Sequence, residues 1–345
     1  MKKKRSAGKI IGIILGVLVL LLVLAVLAAF IFANNLLGKI NRTEITGNMS
    51  LSEDEIYEEP TLPVEDSYSE IEQVKKEFEE AQKITIPEQS GVENILLIGA
   101  DKRDNSENGR SDTIILLSLN YNTGKIHLTS FMRAMYVCIP RADGNVWGMI
   151  NAAYSWGGPN LLIDTIELNF RINIDHYVVI DFEGFEKAVD LLGGVEVDLS
   201  ADEARAVVVR FRGTKPAGRY LLNGEQALYY ARLRYLDNDF VRTSRQRIVI
   251  EALMKKALDM DLSTLIQLAN QILPTVHTDS SFSNVKMIGY ITRALPMINN
   301  ISQRMLPVEN ESGNSYFGII YVGGREMYRV NFSKNINALH EFINS

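Results

Sequence analysis

The sequence predicts an α/β chain: a three-layer α-β-α domain around a central mixed sheet, preceded by one transmembrane helix. Three observations carry this expectation. Short apolar runs bounded by turn residues alternate with helix-period stripes over the last two thirds of the chain. An apolar run without a single charge occupies residues 10–33. Charge is segregated, acidic before the domain and arginine-rich within it, although the net charge is only −6 over 345 residues.

Composition excludes several classes. With 46% hydrophobic residues the chain is not a disordered one. A single cysteine, Cys138, rules out an intramolecular disulfide and any multi-cysteine zinc site. The four histidines, His127, His176, His277 and His340, lie far apart with no H-E-x-x-H among them. A modestly acidic total argues against a general nucleic-acid binder.

Residues 1–9 are basic, with Lys2, Lys3, Lys4, Arg5 and Lys9. The run 10–33 that follows makes about 24 residues, or roughly 36 Å of helix, enough to cross a hydrocarbon core of about 30 Å. A signal-peptide core would be shorter, and no clear A-x-A site ends this one. The basic cluster places the N-terminus inside. The expected topology is therefore a single-pass plasma-membrane protein with its domain outside. Residues 34–90 read as an acidic extracellular linker, with thirteen carboxylates between Glu44 and Glu80 against Lys75 and Lys76. Such charge self-repels and extends, although 69–83 has the makings of a short polar helix.

The domain is expected over 91–345. Residues 93–99, 113–119, 125–131 and 136–139 read as strands, with a turn at Asn122-Thr-Gly124. A helix follows at 159–170, with Leu161, Leu162, Ile166 and Phe170 on one stripe. Then come a strand at 177–181, a helix at 182–192 closed by Gly193-Gly194, and a strand at 195–199. Asn223 caps a helix reaching Arg232, and Asp239 opens a longer one to about Met260. Helices at 263–273, 283–295 and 334–343 and a strand at 317–322 complete the pattern.

Chemistry concentrates in two places. Between 205 and 247 stand ten cations, nine of them arginine, against Glu225, Asp237 and Asp239, for a net +7. Guanidinium forks match phosphate oxygens two at a time, which lysine cannot do. Arg242, Arg245 and Gln246 fall at i, i+3 and i+4 and so share a helix face, leaving Ile248, Val249 and Leu253 for the buried side. Asp239 sits where an N-cap or an arginine-orienting carboxylate belongs, at a helix N-terminus that itself favours an anion. Arg232 and Arg234, two apart, converge only if their helix ends there. The second constellation is Asp101-Lys-Arg103 and Arg110-Ser-Asp112. If the two flanking strands pair antiparallel, Asp101 and Asp112 meet at one sheet edge. With phosphate nearby they could hold Mg²⁺ or Mn²⁺, hard cations that prefer oxygen. Arg133 follows another strand end on what would be the same edge. No G-x-S-x-G and no Walker A sequence competes.

Together these segments, NILLIGADKRDNSENGRSDTIILLSLN, SFMRAMYV, INAAYSWGG and LNGEQALYYARLRYLDNDFVRTSRQR, resemble the LytR–CpsA–Psr family of cell-wall glycopolymer ligases. The resemblance covers about residues 92–260. It implies transfer of a glycopolymer, such as teichoic acid or capsule polysaccharide, from a polyprenyl-pyrophosphate carrier to peptidoglycan. It assigns Asp101 and Asp112 to the metal, and Arg103, Arg110, Arg133, Arg232, Arg234, Arg242, Arg245 and Gln246 to the pyrophosphate. Asp239 becomes a supporting carboxylate, and Asp112, Arg133 and Arg232 the catalytic set. It also implies an apolar channel for the lipid tail. One departure stands out: the family commonly reads P-R-D where this chain reads Met132-Arg133-Ala134. Losing that acid puts catalytic efficiency in question but removes no phosphate ligand. The alternatives to a ligase are a regulatory protein that holds lipid-linked polymer without efficient transfer, and a pyrophosphatase acting on the carrier.

Overall fold

The computed structural model describes residues 29, 31–43, 66–86, 88–101, 109–209, 216–233, 239–260, 262–308 and 316–345. Strand β1 (Asn41–Thr43) is followed by helix α1 (Tyr68–Ala81) and strands β2 (Val92–Asp101), β3 (Arg110–Asn120), β4 (Lys125–Phe131), β5 (Tyr136–Ile139) and β6 (Val146–Met149). Helix α2 (Ile150–Phe170), β7 (His176–Asp181), α3 (Phe182–Leu191), β8 (Val195–Leu199), α4 (Ala201–Val209) and β9 (Gly218–Leu222) come next. Helices α5 (Gly224–Arg232), α6 (Asp239–Leu258) and α7 (Leu262–Ile272) precede β10 (Val276–Asp279), α8 (Asn284–Ala294) and β11 (Ile301–Leu306). The chain ends with the hairpin β12 (Phe317–Val322) and β13 (Arg325–Val330) and helix α9 (Phe332–Ile343).

Seven strands form one mixed sheet in the order β1-β10-β7-β2-β3-β4-β11. Strands β2, β7, β4 and β11 run the same way, and β3 and β10 run against them. The carboxyl ends of four strands and the start of β3 therefore share one edge, the edge where α/β sheets usually bind ligands. Period-two alternation sorts the strand side chains to two faces. Leu96, Ile98, Ala100, Ile114 and Leu116 pack with α1, α2 and α9. Ile95, Ile115, Leu119, Ile126 and Leu128 pack on the other face with Met287 and Tyr290 of α8. A third cluster joins the β8–β9 hairpin to α3, α4, α5 and α6 through Val195, Val197, Leu222, Ala227 and Val249. The sheet is thus covered on both sides, as the three-layer expectation requires.

Several boundaries move. The expected 159–170 helix is the second half of α2, which breaks at Gly157 and Gly158; Gly158 takes φ 63°, ψ −156°, a region open essentially to glycine. Helix α4 and strands β1, β6, β9, β10, β11 and β13 are additional to the expected elements: most are short or carry polar residues at half their positions. The division between a spacer ending at 90 and a domain starting at 91 does not hold. Helix α1 buries Ile71, Val74, Phe78 and Ala81 in the main core while showing its acids to water. Residues 31–37 are helical, Leu37 and Ile40 are buried, and β1 pairs in parallel with β10. The apolar run at 10–33 lies mostly outside the described residues; among these, no helix is long and apolar enough to cross a membrane.

If α1 is structural, Phe78→Ala will destabilise the detergent-solubilised chain. Its ring stands edge-on to Trp147 and Phe332 at 5.3 and 5.4 Å. The expected loss is about 3–5 kcal/mol, read by denaturant unfolding. A loss below about 0.5 kcal/mol, the range of ordinary surface substitutions, would mean that α1 contributes nothing to the core.

Candidate functional site

The site begins with an irregularity in the β2–β3 ladder. Gly99 pairs with Thr113 and Ala100 with Ser111, so Asp112 is an extra residue on β3 with no partner across. Such a bulge bends the strand and re-aims the side chain it carries. Gly99 makes the bend possible, since a Cβ there would stand 2.9 Å from the Thr113 Cβ. The bulge also shifts the register, so Asp101 lies opposite Arg110 rather than Ser111. The two aspartates stand at the same end of the hairpin but not face to face.

Three elements converge on Asp112, whose side chain is 11% exposed. Arg133, in the turn after β4, brings Nη1 to 3.3 Å from Oδ1. Arg232, the last residue of α5, brings Nη2 to 3.9 Å from Oδ2. Its helix ends at Leu233, where a cation is favoured by the helix dipole. The Arg232 guanidinium also lies 4.2 Å over the ring of Phe182, at the start of α3. From α6, Gln246 Nε2 donates to the backbone carbonyl of Asp112 at 3.3 Å. Asp112 holds both guanidiniums, and a second carboxylate, Asp181, lines the adjoining cavity with Arg232.

Behind this polar mouth lies a cavity of about 230 Å³. The sheet contributes Leu97, Val178 and Ile180, α3 contributes Phe182 and Phe185, and α5 and α6 close it with Leu228, Val249 and Leu253. Asp112, Arg232 and Gln246 stand in the same wall. An amphiphile with an anionic head and an apolar tail matches both parts.

The other expected residues divide. Arg242 is buried on α6 one turn before Gln246. Arg245 does not share the site with Gln246: its Nε donates to Glu203 Oε1 at 2.6 Å, and its Nη1 to the Leu233 carbonyl at 3.3 Å. It is therefore an internal brace between α4 and α6, and Ile248, expected on the buried side, is exposed. Arg103 and Arg234 lie outside the described residues. The backbones of Asp101 and Arg110 end β2 and open β3, and that of Asp239 opens α6; their side chains fall outside the description. Among the described residues, no group of three or more His, Cys, Asp or Glu gathers as a metal cluster.

Sequence reasoning missed three participants. Glu203 gave no signal beyond the acidic first turn of its helix. Phe182 was visible as the residue after a strand end. Arg247 was counted among the cations but given no role. It is buried, donates to Ser130 Oγ at 2.8 Å and to Gln303 Oε1 at 3.2 Å, and burial brings its pKa down to about 10. It ties α6 to β4 and β11 behind Arg133.

The LytR_cpsA_psr family model matches residues 62–331. A polyisoprenyl-teichoic acid–peptidoglycan teichoic acid transferase, TagU, of Oceanobacillus iheyensis is 36% identical over 250 residues, covering 69% of this chain and 73% of its own. The regulatory protein MsrR of Staphylococcus aureus is 30% identical over 257 residues, covering 73% and 75%. Among solved structures, protein gbs0355 of Streptococcus agalactiae superposes with a TM-score of 0.62 at 26% identity, over 74% of this chain and 87% of that one.

The Arg245–Glu203 pair yields a pH test. Burial alone would raise the Glu203 carboxyl, but hydrogen bonds from Arg245 and from the Ser200 backbone and hydroxyl hold it below the usual carboxylate range. A depressed folded pKa means stability present above the unfolded value and lost as pH falls through the folded one. At pH 7, Glu203→Ala removes the carboxylate from a buried guanidinium and should destabilise by about 3–5 kcal/mol. The gap between parent and variant should narrow as pH drops below the ordinary glutamate range. Parallel denaturation curves with the same gap at neutral and acid pH would show that the pair does not act this way.

Proposed function

The chain belongs to the LytR_cpsA_psr family, and from that premise we propose that it transfers a glycopolymer from a polyprenyl-pyrophosphate carrier to peptidoglycan. One observation supports this above others: Arg232, one of two guanidiniums held by the Asp112 carboxylate, lines an apolar cavity together with Asp112. The pyrophosphate would meet Arg133 and Arg232, and the prenyl tail would enter between the sheet and α3, α5 and α6. Residues 10–33 would anchor the chain, with the basic N-terminus inside and the domain outside.

In this reading a muramic-acid 6-hydroxyl attacks the phosphorus bonded to the sugar. A new P–O bond forms, the pyrophosphate bridge breaks, and polyprenyl phosphate leaves. Phosphoryl transfer needs positioning and neutralisation of charge more than covalent participation by the protein. Arg133 and Arg232 supply that charge, and Asp112 holds both guanidiniums in place. Gln246 fixes the bulge from behind. Arg110, Arg103, Arg234 and Arg242 belong to the same anion-binding set, and Asp239 supports it. In this reading Asp101 and Asp112, at one end of the β2–β3 hairpin, would hold Mg²⁺ or Mn²⁺, which usually take one or two carboxylates together with substrate phosphates. Bound there, the ion would neutralise pyrophosphate charge.

Ala134 favours a second reading, a carrier-holding regulatory protein with weak transfer. Its backbone is pinned, since its carbonyl accepts from Tyr328 N–H at 2.9 Å. A carboxylate at that position would stand beside Arg133 without moving the chain.

Two measurements test these readings. Arg232→Ala should weaken binding of polyprenyl pyrophosphate to the full chain in detergent by about 1.5–3 kcal/mol, the range for a charge-assisted hydrogen bond. Unchanged affinity in a folded variant would refute the assignment. Ala134→Asp should raise single-turnover transfer to peptidoglycan at least tenfold, or about 1.4 kcal/mol of barrier, with little change in carrier affinity. Equal rates would mean that Ala134 does not limit the reaction. Loss of carrier without any gain of peptidoglycan-linked polymer would identify a pyrophosphatase instead.

A further inference from the structure

Helix α8 is apolar on two sides. Its inward side chains, Met287 and Tyr290, are buried against the sheet. Its outward stripe is also apolar: Val285, Ile291 and, just beyond its end, Leu295 are 59%, 49% and 47% exposed, with Ile288 between them. The outward polar residue Thr292 turns its hydroxyl back to the carbonyls of Ile288 and Gly289, at 2.8 and 3.1 Å. The charged residues of the helix, Lys286 and Arg293, sit together on one flank. A soluble surface helix ordinarily places its charges on the face opposite the core; this one places there a stripe about 16 Å long without any.

The stripe begins where the apolar N-terminal run ends. Asn34, one residue past that run, accepts from Asn284 Nδ2 at 2.8 Å, at the first residue of α8. Ile31 and Phe32, on the preceding helical turn, are themselves 52% and 48% exposed. The junction has no slack. Arg42 donates to the Phe282 carbonyl and to Asn284, Asn41 to the Pro274 carbonyl, Lys39 to Asn270, and β1 is paired to β10.

We infer that the outward face of α8 lies on the surface of the lipid bilayer, so that the domain is seated on the membrane rather than held away from it. The inference rests on the reading of residues 10–33 as a membrane anchor. Continuity fixes the occupant: an apolar chain leaving a bilayer at Ala33 delivers α8 to the interface at once. A helix with an apolar outer stripe lies in the headgroup region, apolar side down; of its two cations, Arg293 is paired with Glu93 at 2.9 Å. The arrangement also bears on the site. Leu97, Val178 and Ile250 line the cavity and pack against the cluster that holds Met287 and Tyr290. One wall of the cavity and the inner side of α8 thus share a single apolar cluster.

The test uses the full chain reconstituted in vesicles of phosphatidylglycerol and phosphatidylethanolamine that carry nitroxide on their acyl chains. An environment-sensitive fluorophore is placed at Ile291→Cys, at Leu295→Cys and, as the control, at Ile319→Cys, an exposed apolar position on β12. The native Cys138 is buried and does not compete. Quenching should be at least twofold greater at 291 and 295 than at 319. A chain that co-floats with the vesicles but is quenched equally at all three positions overturns the seating and leaves the anchor intact. A blue shift at 291 that the lipid quencher does not touch, and that grows with protein density, identifies a second copy of the chain as the occupant and also overturns it. A chain that fails to co-float overturns the anchor, and the seating with it.

Discussion

The site depends on one carboxylate shared between two guanidiniums. Asp112 reaches them because β3 carries one residue more than β2 at that point, and β2 allows the bend because it has glycine at 99. Without the bulge, strict alternation along β3 would set the side chain by its face of the sheet rather than aim it at the edge. The two arginines arrive from elements with nothing else in common, the turn after β4 and the last residue of α5. Each is oriented by Asp112, whose own position is fixed by the bulge in the sheet.

Rigid support continues behind this arrangement. Helix α6 carries Gln246 toward the bulge, Arg245 toward Glu203 on α4, and Arg247 toward Ser130 and Gln303. Three consecutive polar residues so point in three directions, one into the site and two into its frame. A buried guanidinium is tolerable only when its donors are satisfied, which locks α6 to both the sheet and the β8–β9 layer. The arginine-rich composition of this region therefore serves two purposes. Some of the charge faces the substrate side, and some holds the walls in place.

Much of this was legible in the sequence. The strand pairs, the capped helix ending at Arg232 and the long helix from Asp239 follow from apolar period and cap residues alone. The sequence singles out Asp112, Arg133, Arg232 and Gln246, and these four do converge. Arg245 was not separable from Gln246 because helix spacing reports which residues share a face, not which partner each one meets; Glu203 is forty-two positions away. Asp101 and Asp112 are legible as neighbours at one sheet edge, but the bulge that carries Asp112 leaves no trace in a period-two pattern. Helix α1 was taken for part of a spacer because its acids dominate the composition, while Ile71, Val74 and Phe78 at helical spacing carry the contrary signal.

Strand β1 has a consequence of a different kind. It is three residues long, yet it covers the outer edge of β10 and brings Leu37 and Ile40 with it. A soluble fragment cut at residue 44, or at the start of β2, leaves a row of backbone donors and acceptors bare at that margin and opens the apolar cluster beneath. Bare margins of this kind recruit the same margin of another molecule. Self-association of such fragments would then be an artefact of trimming, and the oligomeric state of this protein is best measured on chains that begin before Asn34.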